Sequence, residues 1–197
     1  MPERTAEALL HLARLARGEG AGAGDDLTPA KWTALRFFAR ANRFSRTPSA
    51  FASYPATTRG TASQTVRSLV EAGYLERRRS RTDGRSVDIA PTDAGDAALA
   101  RDPLFLLADA IAALPAERQR RLAADAGEIA GGLAARQGAR AFGVCAECRH
   151  LAETAEGAAC PYRCRLADAG LEARELGLIC IDFAPREDTA GEGTGPA

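Results

Sequence analysis

Residues 57–95 read TTRGTASQTVRSLVEAGYLERRRSRTDGRSVDIAPTDAG. Thr57 and Thr58 are helix-starting residues, because a threonine hydroxyl accepts a hydrogen bond from an amide that the first turn leaves unpaired. Ala62, Val66, Leu69 and Val70 follow at helical spacing and form one apolar stripe. Gly73 is placed to end the helix in the left-handed conformation. Residues 74–80 and 85–92 then read as two strands joined by the turn RTDG, with Val87 and Ile89 alternating as the half-buried side. A stripe that fixes the inward side of the helix also fixes the outward side. That side holds Thr58, Arg59, Gly60, Thr61, Ser63, Gln64 and Arg67.

Working outward, residues 3–17 predict a helix with Leu9, Leu12, Ala13 and Ala16 on one face, ended by the break GEGAGAGDD at 18–26. Thr28-Pro29 and Thr47-Pro48 both pair a capping residue with proline at the first helical position. The first opens a helix with Trp32, Leu35 and Phe38 on one side, the second a short helix over SAFASY. Thr92 caps a helical region that includes PLFLLADAIAALP and AERQRRLAADAGEIAGGLAARQ, interrupted near Pro115 and weakened at Gly131-Gly132. Four helices, a hairpin and a further helix make a winged helix–turn–helix. The fold class is mainly α with a small β-hairpin wing, flanking dimerisation helices and a cysteine-rich C-terminal segment.

The formal net charge is zero, yet from Lys31 to Pro91 twelve basic residues face four acidic ones. A basic segment in a neutral chain is the footprint of a polyanion partner. The outward face of the helix is small or hydrogen-bonding, free of bulky apolar side chains, and suited to a DNA groove. Ser63, Gln64 and Arg67 have the groups that read base edges, and Gly60 permits close approach. Arg77, Arg79, Arg81 and Arg85 of the hairpin suit phosphates or an adjacent minor groove. Together these residues make up the candidate DNA-binding set read from the chain itself.

The wing turn Asp83-Gly84-Arg85 followed by Thr92-Asp93-Ala94-Gly95 resembles the MarR (multiple antibiotic resistance regulator) family. The resemblance extends over about residues 3–137, with 57–95 its specific part. It implies a homodimer, built from the first and last helices, on a pseudo-palindromic operator of double-stranded DNA. It further implies that Arg85 enters the minor groove while Asp83 steadies the wing. The interruption at GEGAGAG departs from the family's longer N-terminal scaffold. Independently, Leu104, Phe105, Leu106, Leu107, Ile111 and Leu114 exceed what one helix needs to cover its own domain, which also predicts a dimer.

The first 144 residues contain no cysteine, and then Cys145, Cys148, Cys160, Cys164 and Cys180 arrive together. No segment is apolar for long enough to span a membrane, and the N-terminus lacks the pattern of a signal peptide, so a cytoplasmic location is expected. Clustered cysteines there point to metal or redox chemistry more than to disulfides. Two quartets can be drawn. Cys145, Cys148, Cys160 and Cys164 form two close pairs resembling a zinc ribbon, but leave Cys180 unused. Cys145, Cys148, Cys164 and Cys180 form one pair and two singles in apolar settings, an arrangement loosely resembling small high-potential iron–sulfur proteins. The second quartet is preferred, with Cys160 and His150 as substitute ligands. Four thiolates suit an iron–sulfur cluster, 4Fe–4S favoured, and suit Zn²⁺ as well.

These readings divide the chain into a winged helix domain with dimerisation helices at 1–137 (DNA-binding core about 28–96), a metal-binding segment at 138–185 and a disordered tail at 186–197. They lead to a transcriptional regulator, a repressor, whose DNA affinity a C-terminal metal centre modulates through a segment packed against the dimerisation helices. The alternative is a structural zinc with a small-molecule effector in the dimer cleft. Catalysis is not expected: two histidines, His11 and His150, are few for acid–base work. A thiol oxidoreductase at Cys145-x-x-Cys148 would leave the other cysteines without a role.

Overall fold

The computed structural model describes residues 1–16, 27–54, 57–79, 87–140, 142–155, 157 and 159–186. Helix α1 spans Pro2–Ala16, α2 Pro29–Arg40, α3 Pro48–Ser53 and α4 Arg59–Glu71. Strands β1 (Leu75–Arg79) and β2 (Val87–Pro91) form the hairpin, followed by α5 (Asp93–Leu99), α6 (Leu104–Ala112) and α7 (Ala116–Arg136). The structure is mainly helical with small antiparallel sheets, as the sequence predicts. The break at 18–26, the wing turn with Arg81, Asp83 and Arg85, and residues 187–197 lie outside the described residues.

Threonines start the helices of the winged helix core, called the reading head below for the DNA-binding role the sequence predicts. The hydroxyls of Thr28, Thr47, Thr58 and Thr92 accept from the backbone amides of Lys31, Ala50, Thr61 and Gly95. Each such cap is worth roughly 1 kcal/mol. The core then assembles Trp32, Leu35, Phe37 and Phe38 from α2, Phe51 from α3, and Val66 and Leu69 from α4, closed by Leu75 and Ile89 of the hairpin. Phe37 meets Phe38 edge-on at 5.2 Å between ring centroids. Burying each of these side chains contributes about 1.5–3 kcal/mol.

The hairpin pairs Leu75 with Pro91 and Arg79 with Val87. Ile89 is buried, but Val87 is 45% exposed. Period two places both on one face; the outer end of the strand, however, runs past the edge of the core. The motif Thr92-x-x-Gly95 has a steric reason. A Cβ on Gly95 would stand 2.2 Å from the Tyr74 carbonyl oxygen, so only glycine lets α5 close on the start of the wing.

Helices α1, α6 and α7 bury no residue. Leu10, Leu15, Phe105, Leu106, Ile129 and Leu133 are all exposed on them. Helix α1 touches α6, and α6 touches α7. Gly131 and Gly132 do not interrupt α7, which continues to Arg136.

The chain then returns to the reading head. Strand β3 (Gly143–Val144) pairs antiparallel with β7 (Ile179–Cys180). Between them β4 (Leu151–Glu153), β5 (Tyr162–Cys164) and β6 (Ala169–Leu171) form a three-stranded meander. Phe142, Ile179 and Ile181 pack on the main core, and Ala41 bridges to Ile179. The sequence reading places this segment against the dimerisation helices. The contacts seen are instead with α2, the turn that follows it and Tyr54, where Phe142, Ile179 and Ile181 find apolar partners.

Candidate nucleic-acid interface and a four-cysteine pocket

On α4, Ala62, Val66 and Leu69 face the core. The opposite side presents Thr58, Arg59, Gly60, Thr61, Ser63, Gln64 and Arg67, all exposed. The helix begins on this face, so its unpaired N-terminal amides add partial positive charge where a phosphate would lie. The Thr58 hydroxyl is 2.9 Å from that of Thr61, which fixes the first turn. Along β1, Arg77 and Arg79 are exposed, and Arg78 turns back to pair with Glu76. The described members of the predicted DNA-binding set are therefore exposed, on α4 and on β1.

The cysteines form a second site. Cys145, Cys148, Cys164 and Cys180 line one cavity of about 140 Å³, with His150 and Asp182 beside them and Phe44, Leu151, Leu166 and Leu171 among the apolar walls. Cys145 and Cys180 are 7% and 8% exposed. Cys160 takes a different place: a Cβ on Gly170 would come within 2.8 Å of its sulfur, so it fills the meander and does not line the cavity.

In the empty cavity the surroundings favour the neutral thiols, with hydrogen-bond donors opposing that trend. Burial pushes the Cys145 thiol above its ordinary range, and the neighbouring thiols of Cys180, Cys148 and Cys164 push the same way, while the Asn42 amide opposes them. Burial also raises Cys180, against hydrogen bonds from the Asn42 side chain and the Asp182 backbone. The Ala167 amide donates to the Cys164 sulfur at 3.5 Å. Donors aimed at sulfur stabilise it as a bound thiolate, the form that ligates metals. Among the described residues, no three His, Cys, Asp or Glu side chains converge closely enough to grip a single ion. The cavity is comparable in volume to one that holds a benzene molecule.

Residues 25–86 match the model of the MarR family. The match spans α2, α3, α4 and the first strand of the hairpin, the winged helix part of the chain. Among solved structures, the fold is similar to Streptococcus pneumoniae FabT in complex with DNA. The two share 20% identity over 68% of this chain and 97% of that one, with a TM-score of 0.50. A MarR transcriptional regulator from Methanosarcina mazei shares 18% identity over 64% of this chain and 94% of that one, at a TM-score of 0.47. These likenesses concern the fold. No curated protein matches the chain.

The matched residues include α4, whose exposed face carries the candidate DNA-binding residues. The cysteine segment lies outside the residues that the MarR family match covers. The candidate surface is also wider than the sequence reading makes it. Thr47 and Ser49 at the start of α3 share a hollow with Arg59 and Ser63, and Thr28 and Lys31 share another with Gly60 and Gln64. The signal that points to them is the capping pattern itself. Helices α2, α3 and α4 all begin with a capped threonine, and these N-termini border the same face.

Proposed function

We propose that this chain is a MarR-family repressor that binds a pseudo-palindromic DNA operator as a cytoplasmic homodimer, and that a 4Fe–4S cluster held by Cys145, Cys148, Cys164 and Cys180 sets its DNA affinity. The observation that supports this most is that four cysteines line one cavity, together with apolar residues and with Asn42 and Phe44 of the turn after α2. Zinc bonds its sulfurs at about 2.3 Å and needs four of them drawn tightly together. Sulfurs spaced around a larger hollow favour a polynuclear cluster, whose ordinary ligand set is four cysteines.

In this reading the cluster supplies a centre that changes with iron supply or oxidation. Cys145 and Cys148, joined by a single short turn, hold one side; Cys164 and Cys180 close the other. Leu151 and Leu171 exclude water. His150 stands at the cavity as a bordering group. On the DNA, Ser63, Gln64 and Arg67 meet base edges, while Arg77 and Arg79 with the wing-turn residues Arg81 and Arg85 meet phosphates and the minor groove.

The test is purification without oxygen, followed by a visible absorption spectrum and assay of iron, sulfide and zinc on one sample. A brown protein with about four irons and matching sulfide per chain is expected. A colourless protein with one zinc per chain would refute the cluster and leave a structural staple.

A further inference from the structure

We propose that the turn between α2 and α3, centred on Asn42, transmits occupancy of the four-thiol cavity to the DNA-reading surface. The inference rests on the reading of that cavity as a cluster site. It concerns which residues make the site regulatory.

The turn is tied on both sides. Towards sulfur, the Asn42 amide nitrogen lies 3.7 Å from the Cys145 sulfur, and Phe44 lines the cavity. Arg43 donates to the Gly170 carbonyl and pairs with Glu175 at 3.5 Å. Towards the reading head, the Asn42 carbonyl oxygen accepts from the Phe44 amide at 3.1 Å and the Ser45 hydroxyl at 2.8 Å. The Ser45 hydroxyl oxygen in turn accepts from the Ile181 amide at 2.9 Å. One residue on, the Arg46 carbonyl accepts from Ile89 of the wing strand at 2.8 Å. Thr47 then caps α3 and borders the hollow that holds Arg59 and Ser63. A cluster ligand and the start of the reading surface are thus separated by a few residues of hydrogen-bonded turn.

Asn42 and Ser45 are 1% and 0% exposed, and the Asn42 side chain bonds at both its nitrogen and its oxygen. That arrangement gives the two states different energies, which any switch requires. A ligating cysteine is a charged, strong acceptor for the Asn42 amide; a free thiol is a weak one. The occupied cavity therefore holds Asn42, and with it the turn, more firmly. The start of α3 and the wing strand inherit that order, so the loaded protein is the tighter DNA binder.

The experiment uses the full-length protein and a DNA duplex selected by the iron-loaded wild type from a randomised library. Kd is measured for loaded and metal-free forms of the wild type, Asn42→Ala and Ser45→Ala, with iron and sulfide counted in each. The loaded wild type is expected to bind about 5- to 150-fold more tightly than its metal-free form. Both variants should keep the cluster and bring that ratio towards one. Asn42→Ala should also shift the reduction potential of the cluster, since hydrogen bonds to sulfur help set it. Ser45→Ala, which leaves the thiol contact in place, should not. A fully loaded variant that keeps the wild-type ratio overturns the inference. A wild type that holds no iron, or binds equally in both forms, overturns the reading of the cavity instead. If Asn42→Ala does not fold or load, the ratio in Ser45→Ala decides.

Discussion

Arg36 of α2 grips Asp102 through both of its faces: Nε donates to one carboxylate oxygen at 2.6 Å, and a terminal nitrogen donates to the other. The same carboxylate accepts from the Leu104 amide at 2.8 Å and so caps the start of α6. The Asp102 side chain is 6% exposed and that of Arg36 20%. One carboxylate thereby sets where the α6–α7 arm leaves the reading head. Removing one member of a buried pair strands the other, at a cost of about 3 kcal/mol. Asp102→Ala should lower the unfolding free energy by that amount in urea titrations at fixed protein concentration, whereas exposed Arg121→Ala should change it by under about 0.5 kcal/mol.

The reading face separates into two kinds of contact. Gln64→Ala is expected to cost about 1–3 kcal/mol on the selected duplex and to relax preference at one base position. Arg77→Ala should weaken all sequences alike and reduce the slope of log Kd against log salt by about 1 for each protomer. Titrations at several salt concentrations, on selected and scrambled duplexes, distinguish the two. A Gln64→Ala protein with unchanged base preference would remove Gln64 from the reading set.

The cysteines should also fall into two groups. Cys164→Ser and Cys180→Ser are expected to lose the visible absorption and most of the iron. Cys160→Ser should keep both, because Cys160 packs on Gly170 and is not among the residues lining the cavity. Iron counted per chain after anaerobic purification checks this. Iron loss in Cys160→Ser would reinstate the quartet with two close pairs.

The exposed apolar residues of α1, α6 and α7 await a partner surface. Leu106 is 74% exposed in the single chain. Leu106→Asp should convert dimer to monomer in sedimentation experiments. It should also sharply weaken binding to a two-half-site duplex, while the affinity for one half-site stays within a few-fold. Two half-sites about 34 Å apart bind strongly only when one assembly spans them.

Much of this was legible from local pattern. Thr28, Thr47, Thr58 and Thr92 announce helices because a cap acts within three residues, and Ala62, Val66 and Leu69 announce a buried face because helical period is local. The four cavity cysteines were legible too, since the apolar residues around Cys164 and Cys180 distinguish them from Cys160. The docking of the cysteine segment was not. It depends on Asn42, Arg43 and Ser45 meeting Cys145, Gly170 and Ile181, pairs more than a hundred positions apart. Nothing in ANRFSR separates a buried, fully bonded turn from an ordinary polar loop. Val87 escaped for a related reason: alternation assigns a face, but not how far the core extends beneath it.

The α6–α7 arm leaves the reading head at Asp102, which Arg36 of α2 holds, and the chain comes back at Phe142, whose ring meets those of Phe37 at 6.4 Å and Tyr54 at 5.1 Å. Arg36 and Phe37 are neighbours on one helix. The arm is therefore a closed handle with both feet on α2, one ionic and one aromatic. A handle fixed at two points cannot pivot freely. In the proposed dimer, a change in the span between the two reading heads would require either that α2 move with the arm or that one foot let go. High salt or loss of the Asp102 carboxylate weakens the first foot; removal of an aromatic ring weakens the second.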